Sequence, residues 1–156
     1  MLKPNEMSCD FFADSIKLNY DLPNNYVCIH AASTWPSRTW NEESFRKLTN
    51  TLNSLNISVI IVGKNGYETG FWGKQEKSTF HIEVEKGFNL SNKLSLHETW
   101  HVINNSICFI TMDSGLLHLA GTTDTHIIQL GSSIDPILRA PFRRGSQGYK
   151  YEYMCP

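Results

Sequence analysis

Four short apolar runs limit what this chain can fold into more than any other feature: Tyr26-Val27-Cys28-Ile29, Ile57-Ser58-Val59-Ile60-Ile61-Val62, Ser106-Ile107-Cys108-Phe109-Ile110 and His126-Ile127-Ile128-Gln129-Leu130. Each is rich in β-branched or aromatic residues and gives way to a short stretch of Gly, Ser, Asn or Asp, the pattern of buried strands. Helical patterns separate them. From Asn41, an expected N-cap followed by Glu42 and Glu43, apolar residues recur at Phe45, Leu48, Leu52 and Leu55. Ser95 and Glu98 have the spacing of a capping box ahead of a face formed by Leu96, Trp100 and Ile103. A short helix is expected from Ser114 or Gly115 through Leu116, Leu119 and Ala120 to Gly121. Phe80-His81-Ile82-Glu83-Val84 alternates as a further strand would. Strands alternating with helices imply parallel pairing through right-handed crossovers. The expected class is α/β, with a doubly wound, mostly parallel Rossmann-like sheet.

The chain has 156 residues, 40% hydrophobic and 19% charged, enough apolar material for one core. A chain of this size buries roughly 70% of its unfolded surface and needs no disulfide or metal to fold. Residues 1–25 read as a lead-in with a helix over Cys9–Leu18, residues 26–140 as the domain proper, and residues 141–156 as a cut-off tail. Fourteen Lys and Arg against 15 Asp and Glu exclude the broadly basic surface of a nucleic-acid binder. An anionic ligand must then be held by local groups. Cys9, Cys28, Cys108 and Cys155 lie too far apart for a zinc site or redox pair, and the buried-hydrophobe reading suits Cys28 and Cys108. The N-terminus has no signal-type apolar stretch, and the aliphatic run Val59–Val62 is too short to span a bilayer. A cytoplasmic location is expected, at most peripheral to the inner membrane.

In open α/β sheets, ligands bind beyond the carboxyl ends of the strands. Four segments fall there: His30-Ala31-Ala32-Ser33, Gly63-Lys64-Asn65-Gly66, Met112-Asp113-Ser114-Gly115 and Gly131-Ser132-Ser133. Strand-to-helix turns need small residues in any case, so each segment alone is ambiguous and the set of four favours a cleft. Asp113-Ser114-Gly115 is the strongest, because the helix that follows presents unpaired amides suited to phosphate. His118, one turn on, either reaches such a phosphate or packs under the loop; the second is the commoner role for an isolated helical His. Arg38 precedes the first crossover helix, where a guanidinium complements a diphosphate or stacks between Trp35 and Trp40. Glu68 is placed either to accept from ribose hydroxyls or simply as an exposed loop residue. Phe71, Trp72 and Phe88 either shape a base pocket or belong to the core, and Tyr149, Tyr151 and Tyr153 alternate as an edge strand would.

The ordered set of Ile29-His30 through Ser33, Trp35-Pro36-Ser37-Arg38-Thr39-Trp40 with Phe45 and Leu48, Asp113-Ser114-Gly115-Leu116-Leu117-His118-Leu119-Ala120 and Gln129-Leu130-Gly131-Ser132 resembles glycosyltransferase family 9. These are the ADP-heptose:lipopolysaccharide heptosyltransferases and their relatives. The resemblance covers roughly residues 26 to 136 and is to the C-terminal, donor-binding half of a GT-B enzyme. It implies that Ser33, Thr34 and Arg38 lie near a donor diphosphate, with Arg38 where many relatives have Lys. Glu68 would meet the ribose or base. Asp113, Ser114, Gly115 and His118 would form the diphosphate and sugar site, with Gly63, Gly131 and Ser132 lining it and Arg38, Asp113 and His118 as the catalytic set. The usual H-P-G-A-S-like turn reads His30-Ala31-Ala32-Ser33-Thr34 here, without Pro or Gly.

The implied activity is donor binding for an inverting, metal-independent transfer in lipopolysaccharide biosynthesis, with an ADP-sugar as substrate and neither cofactor nor metal. The family's N-terminal acceptor domain, which supplies the catalytic carboxylate, has no room in 25 residues and is expected as a missing or separate partner. Two alternatives compete: a non-catalytic nucleotide-binding or interaction module on the same fold, and a hydrolase using Ser114 with His118 or His30. No G-x-S-x-G elbow supports the hydrolase.

Overall fold

The computed structural model describes residues 16–33, 38–69, 76–131, 135, 138–141 and 151–154, with only the backbone described at 33, 67–69, 76 and 151–154. The four apolar runs become β1 (Tyr26–Ile29), β3 (Ser58–Ile61), β7 (Cys108–Thr111) and β8 (His126–Leu130). Two further strands complete the main sheet, β6 (Gly87–Asn89) and β9 (Tyr151–Met154). Its order is β6-β3-β1-β7-β8-β9, and every neighbouring pair is parallel. Chain order therefore runs outward from β1 to one edge, then restarts beside β1 at β7 and runs to the other. That reversal is the switch point of a doubly wound sheet, and it leaves a crevice between the carboxyl ends of β1 and β7.

Near-continuous apolar strands follow from a sheet covered on both faces. On one face Cys28, Ile60, Phe109 and Ile127 pack with Val102 and Ile103 of α2 (Leu96–Asn104) and Leu117 and Ala120 of α3 (Gly115–Ala120). Leu18, Tyr20 and Leu22 of the lead-in pack against this layer. On the other face Val27, Ile29, Val59, Ile61 and Ile110 pack against Phe45 of α1 (Glu42–Ser54). Val59, Ile60, Ile61 and Val62 are wholly buried, each contributing about 1.5–3 kcal/mol of transfer free energy. Cys28 is buried too, and desolvation raises its thiol well above the ordinary range, consistent with an inert small hydrophobe.

The helix starts match the sequence. Asn41 Oδ1 accepts from the Ser44 amide at 2.8 Å, Ser95 and Glu98 form both halves of a capping box, and Ser114 caps α3. Two helical faces differ from expectation. Leu55 is the C-cap of α1 and 65% exposed, because Asn56 turns into the left-handed region at φ 62° and the chain leaves the helix there. In α2 the buried residues are Thr99, Val102 and Ile103 while Leu96, in the first turn, is exposed. Thr99 tolerates burial because its hydroxyl donates to Ser95 O at 2.8 Å.

The expected strand at 80–84 is not one. Phe80 and Ile82 do point inward, as the alternation requires, but the backbone there is held by side chains rather than by a neighbouring strand. Asn65 donates to Phe80 O, Asn89 to Ile82 O, and the His81 amide donates to Glu42. The sheet strand is β6, a few residues later. A second, three-stranded sheet, β2 (Ala32–Ser33), β4 (Gly66–Thr69) and β5 (Glu76–Ser78), sits after β1 and β3, tied on by the Gly66 amide to Ala31 O. Of the remaining expectations, residues 9–15 of the helix at Cys9–Leu18, and Cys9, Cys155, Phe71, Trp72 and Tyr149, lie outside the described residues. Phe88 belongs to β6 and packs with Tyr20 on the core, and Tyr151 and Tyr153 lie in the edge strand β9. Among the described residues no helix is long and apolar enough to cross a membrane.

Candidate functional site

The switch-point crevice gathers side chains from segments far apart in sequence. His30 follows β1 directly, and its amide donates to Ile110 O at 2.9 Å, extending the β1–β7 ladder by one bond. The ring is buried, with Nδ1 3.2 Å from both Thr111 Oγ1 and Ser114 Oγ, while the two hydroxyl oxygens stand 3.3 Å apart. This triangle joins the ends of β1 and β7 to the N-cap of α3. Burial pushes the His30 pKa down to about 4, so the imidazole is neutral at pH 7. Gly63 makes this packing feasible. It lies in the left-handed region at φ 76°, and an added Cβ would meet the His30 ring and Leu116.

A charged cluster lies next to the triangle. Asp113 Oδ2, with its side chain 6% exposed, receives Arg38 Nη1 at 3.3 Å and Arg139 Nε at 3.6 Å. Arg38 is anchored through Trp40, two residues on, whose amide points at Met112 Sδ at 3.0 Å and whose ring packs edge-on against Phe45. Arg38 therefore faces the crevice while Trp40 turns into the core. Trp35 lies outside the described residues.

The structure brings Arg38 and Asp113 together, next to Ser114 at the start of α3. Gly115 is exposed and no heavy atom approaches its Cβ position within 4 Å, leaving the first turn of α3 open to a ligand. His118 is exposed on α3 and does not pack beneath the loop; among the described residues no hydrogen bond or ion pair ties it to the cluster. Gly131 follows β8 and is half-buried. Ser33 is part of β2 and Glu68 part of β4, paired through the backbone with Lys77, so neither lies in a simple turn. Thr34 and Ser132 fall outside the described residues. Thr111 and Arg139 were not singled out by sequence. Thr111 reads as an ordinary strand residue. Arg139 lies well beyond the small-residue turn after β8, and its only signal is the turn-forming Asp135-Pro136 ahead of it.

With the geometry established, comparison with known proteins decides the family. The model of glycosyltransferase family 9 (heptosyltransferase) matches residues 3–152. The chain belongs to glycosyltransferase family 9. Solved relatives agree in fold. The E. coli heptosyltransferase WaaC with ADP aligns over 83% of this chain and 37% of its own, at 17% identity and a TM-score of 0.58. A glycosyltransferase family 9 protein from Veillonella parvula aligns over 84% and 36%, at 18% identity and a TM-score of 0.58. The dodecameric iron-containing heptosyltransferase TibC, in complex with ADP-D-beta-D-heptose, aligns over 89% and 35%, at 24% identity and a TM-score of 0.57. No curated sequence matches the chain directly. This family 9 chain thus spans little more than a third of the length of those relatives. Its switch point corresponds to a Rossmann-like unit of the GT-B architecture. Among its described residues, no three His, Cys, Asp or Glu side chains converge as metal ligands.

Proposed function

We propose that this chain binds an ADP-heptose-like nucleotide-sugar as the donor domain of an inverting, metal-independent glycosyltransferase in lipopolysaccharide biosynthesis. The observation that carries the reading is Arg38 at the switch-point crevice, held 3.3 Å from the buried Asp113 and next to the Ser114 cap of α3. A diphosphate needs local cations and amide donors there, because the chain as a whole carries a net charge of -1. The ligand class comes from family membership, since WaaC was solved with ADP and TibC with ADP-D-beta-D-heptose.

In this reading the acceptor hydroxyl attacks the anomeric carbon from the face opposite the nucleotide. The bond from that carbon to the β-phosphate oxygen breaks, and ADP leaves with the electron pair. Arg38 and the α3 amides stabilise the growing phosphate charge, and preorganised donors of this kind contribute about 3 kcal/mol each. The proton leaves the hydroxyl to a base on the acceptor side, because the Asp113 oxygen is already shared by two guanidiniums. That base belongs to an acceptor-binding partner domain, and the reaction is cytoplasmic. In this reading Ser33, Gly63, Glu68, Gly115, His118 and Gly131 belong to the same donor site.

The 3.2 Å approach of His30 Nδ1 to Ser114 Oγ is the one observation that favours a serine hydrolase. It does not carry that reading, because burial holds the His30 pKa near 4 and Ser114 Oγ already caps the Leu117 amide. Calorimetric titration of the purified chain with ADP and ADP-sugars tests the proposal, with saturable binding expected. Absence of binding at millimolar ligand would overturn it. Binding without sugar transfer, even with an acceptor domain supplied, would make the chain a nucleotide-binding module.

A further inference from the structure

We infer that Arg139 is a second cation of the donor-phosphate site, kept in register with Arg38 by Asp113 as a positioning residue; the inference rests on the ADP-sugar reading above. Both guanidiniums address the same oxygen, Asp113 Oδ2, at 3.3 Å from Arg38 and 3.6 Å from Arg139. Charge-assisted N–H···O bonds close to about 2.7–2.9 Å when the partners are committed to each other. Here neither pair closes, so one carboxylate is divided between two cations and saturates neither.

Among the described residues the cluster then holds two positive charges against one negative. Guanidiniums that share an oxygen stand close enough to repel, and an anion set between them relieves the repulsion. The topology places that surplus charge at the crevice. Arg38 arrives from the loop after β1 and β2, Asp113 from the end of β7, and Arg139 from beyond β8, β7's other neighbour in the sheet. The turn that delivers Arg139 is closed by the Leu138 amide donating to Asp135 O at 3.1 Å. Arg38 and Arg139 therefore flank Asp113 from two separate loops. The Arg139 side chain is 41% exposed, so its guanidinium stays accessible to a ligand while it faces Asp113. A diphosphate offers several anionic non-bridging oxygens to such a pair, whereas a neutral nucleoside offers none.

The test is calorimetric titration of the full chain with ADP and with adenosine, together with melting temperatures, for the wild type, Arg139→Gln and Arg139→Lys. Loss of one charge-assisted contact weakens binding about tenfold or more, so Arg139→Gln should raise the ADP Kd by that factor. Adenosine affinity and melting temperature should stay at wild-type values, and Arg139→Lys should recover part of the loss. An ADP Kd unchanged in Arg139→Gln would overturn the assignment of Arg139. So would an equal weakening of ADP and adenosine, which marks a structural role. If the wild type fails to bind ADP, the donor reading itself falls, and Arg139 falls with it.

Discussion

A methyl group built on Gly63 would stand 2.6 Å from Cδ2 of His30, so this histidine can occupy its place only while position 63 carries no side chain. Gly63→Ala should therefore destabilise the chain twice over. The left-handed backbone at φ 76° costs an L-residue about 1–2 kcal/mol, and overpacking against the ring and Leu116 costs about 1–3 kcal/mol. Urea denaturation should show a combined loss of about 2–5 kcal/mol. A loss below about 0.5 kcal/mol would mean that the ring moves aside freely.

His30 should also make stability depend on pH. Its folded-state pKa, about 4, lies below the ordinary value of 6.5 because burial disfavours the imidazolium. Between these two values the unfolded chain binds a proton that the folded chain refuses, so stability falls as pH falls through that window. The contribution present above pH 6.5 is lost by pH 4, amounting to about 3 kcal/mol. Urea midpoints across this range should slope for the wild type and flatten in His30→Gln. Equal slopes would remove His30 as the cause.

Arg38→Ala should weaken ADP without unfolding the protein. Arg38 is partly exposed, and a partly exposed ion pair contributes little to stability, about 0–1 kcal/mol. Its contact with a diphosphate is charge-assisted, and its loss should raise the ADP Kd about tenfold to a hundredfold by calorimetry. A lowered melting temperature with unaltered ADP affinity would be the opposite pattern and would assign Arg38 to the fold.

Asn53 should behave in reverse. Its buried amide donates to Ile57 O and Lys86 O and accepts from the Glu85 and Lys86 amides, all at 3.0–3.1 Å. One side chain thus binds the end of α1 to the segment entering β6. Asn53→Ala leaves buried backbone groups unpaired and should cost about 2–4 kcal/mol in chemical denaturation. ADP affinity of the folded variant should match the wild type.

The legible part of this protein was local. Tyr26–Ile29 and Val59–Val62 are apolar throughout because both faces of a parallel strand are covered, and Asn41, Ser95 and Ser114 each act through an amide three residues away. Such signals need no knowledge of the partner surface. They sufficed to place Asp113 and Ser114 at a strand end and Arg38 ahead of the first crossover helix, and to mark the family. The segment at 80–84 misled because inward alternation shows which residues are buried and says nothing about what holds the backbone. There Asn65, Asn89 and Glu42 do so, through side chains distant in sequence.

Local sequence signals settle the strand–helix alternation, the helix caps and the position of Asp113-Ser114-Gly115 at the turn after β7. Folding in three dimensions is what returns β7 beside β1 and sets His30 against Thr111 and Ser114 across that junction. It alone brought Arg139 to Asp113. The physical reason is that a crevice at a switch point is made by two strands that are adjacent in the sheet and remote in the chain. Its charge balance is set by which loops converge there, and no spacing along the sequence records that convergence.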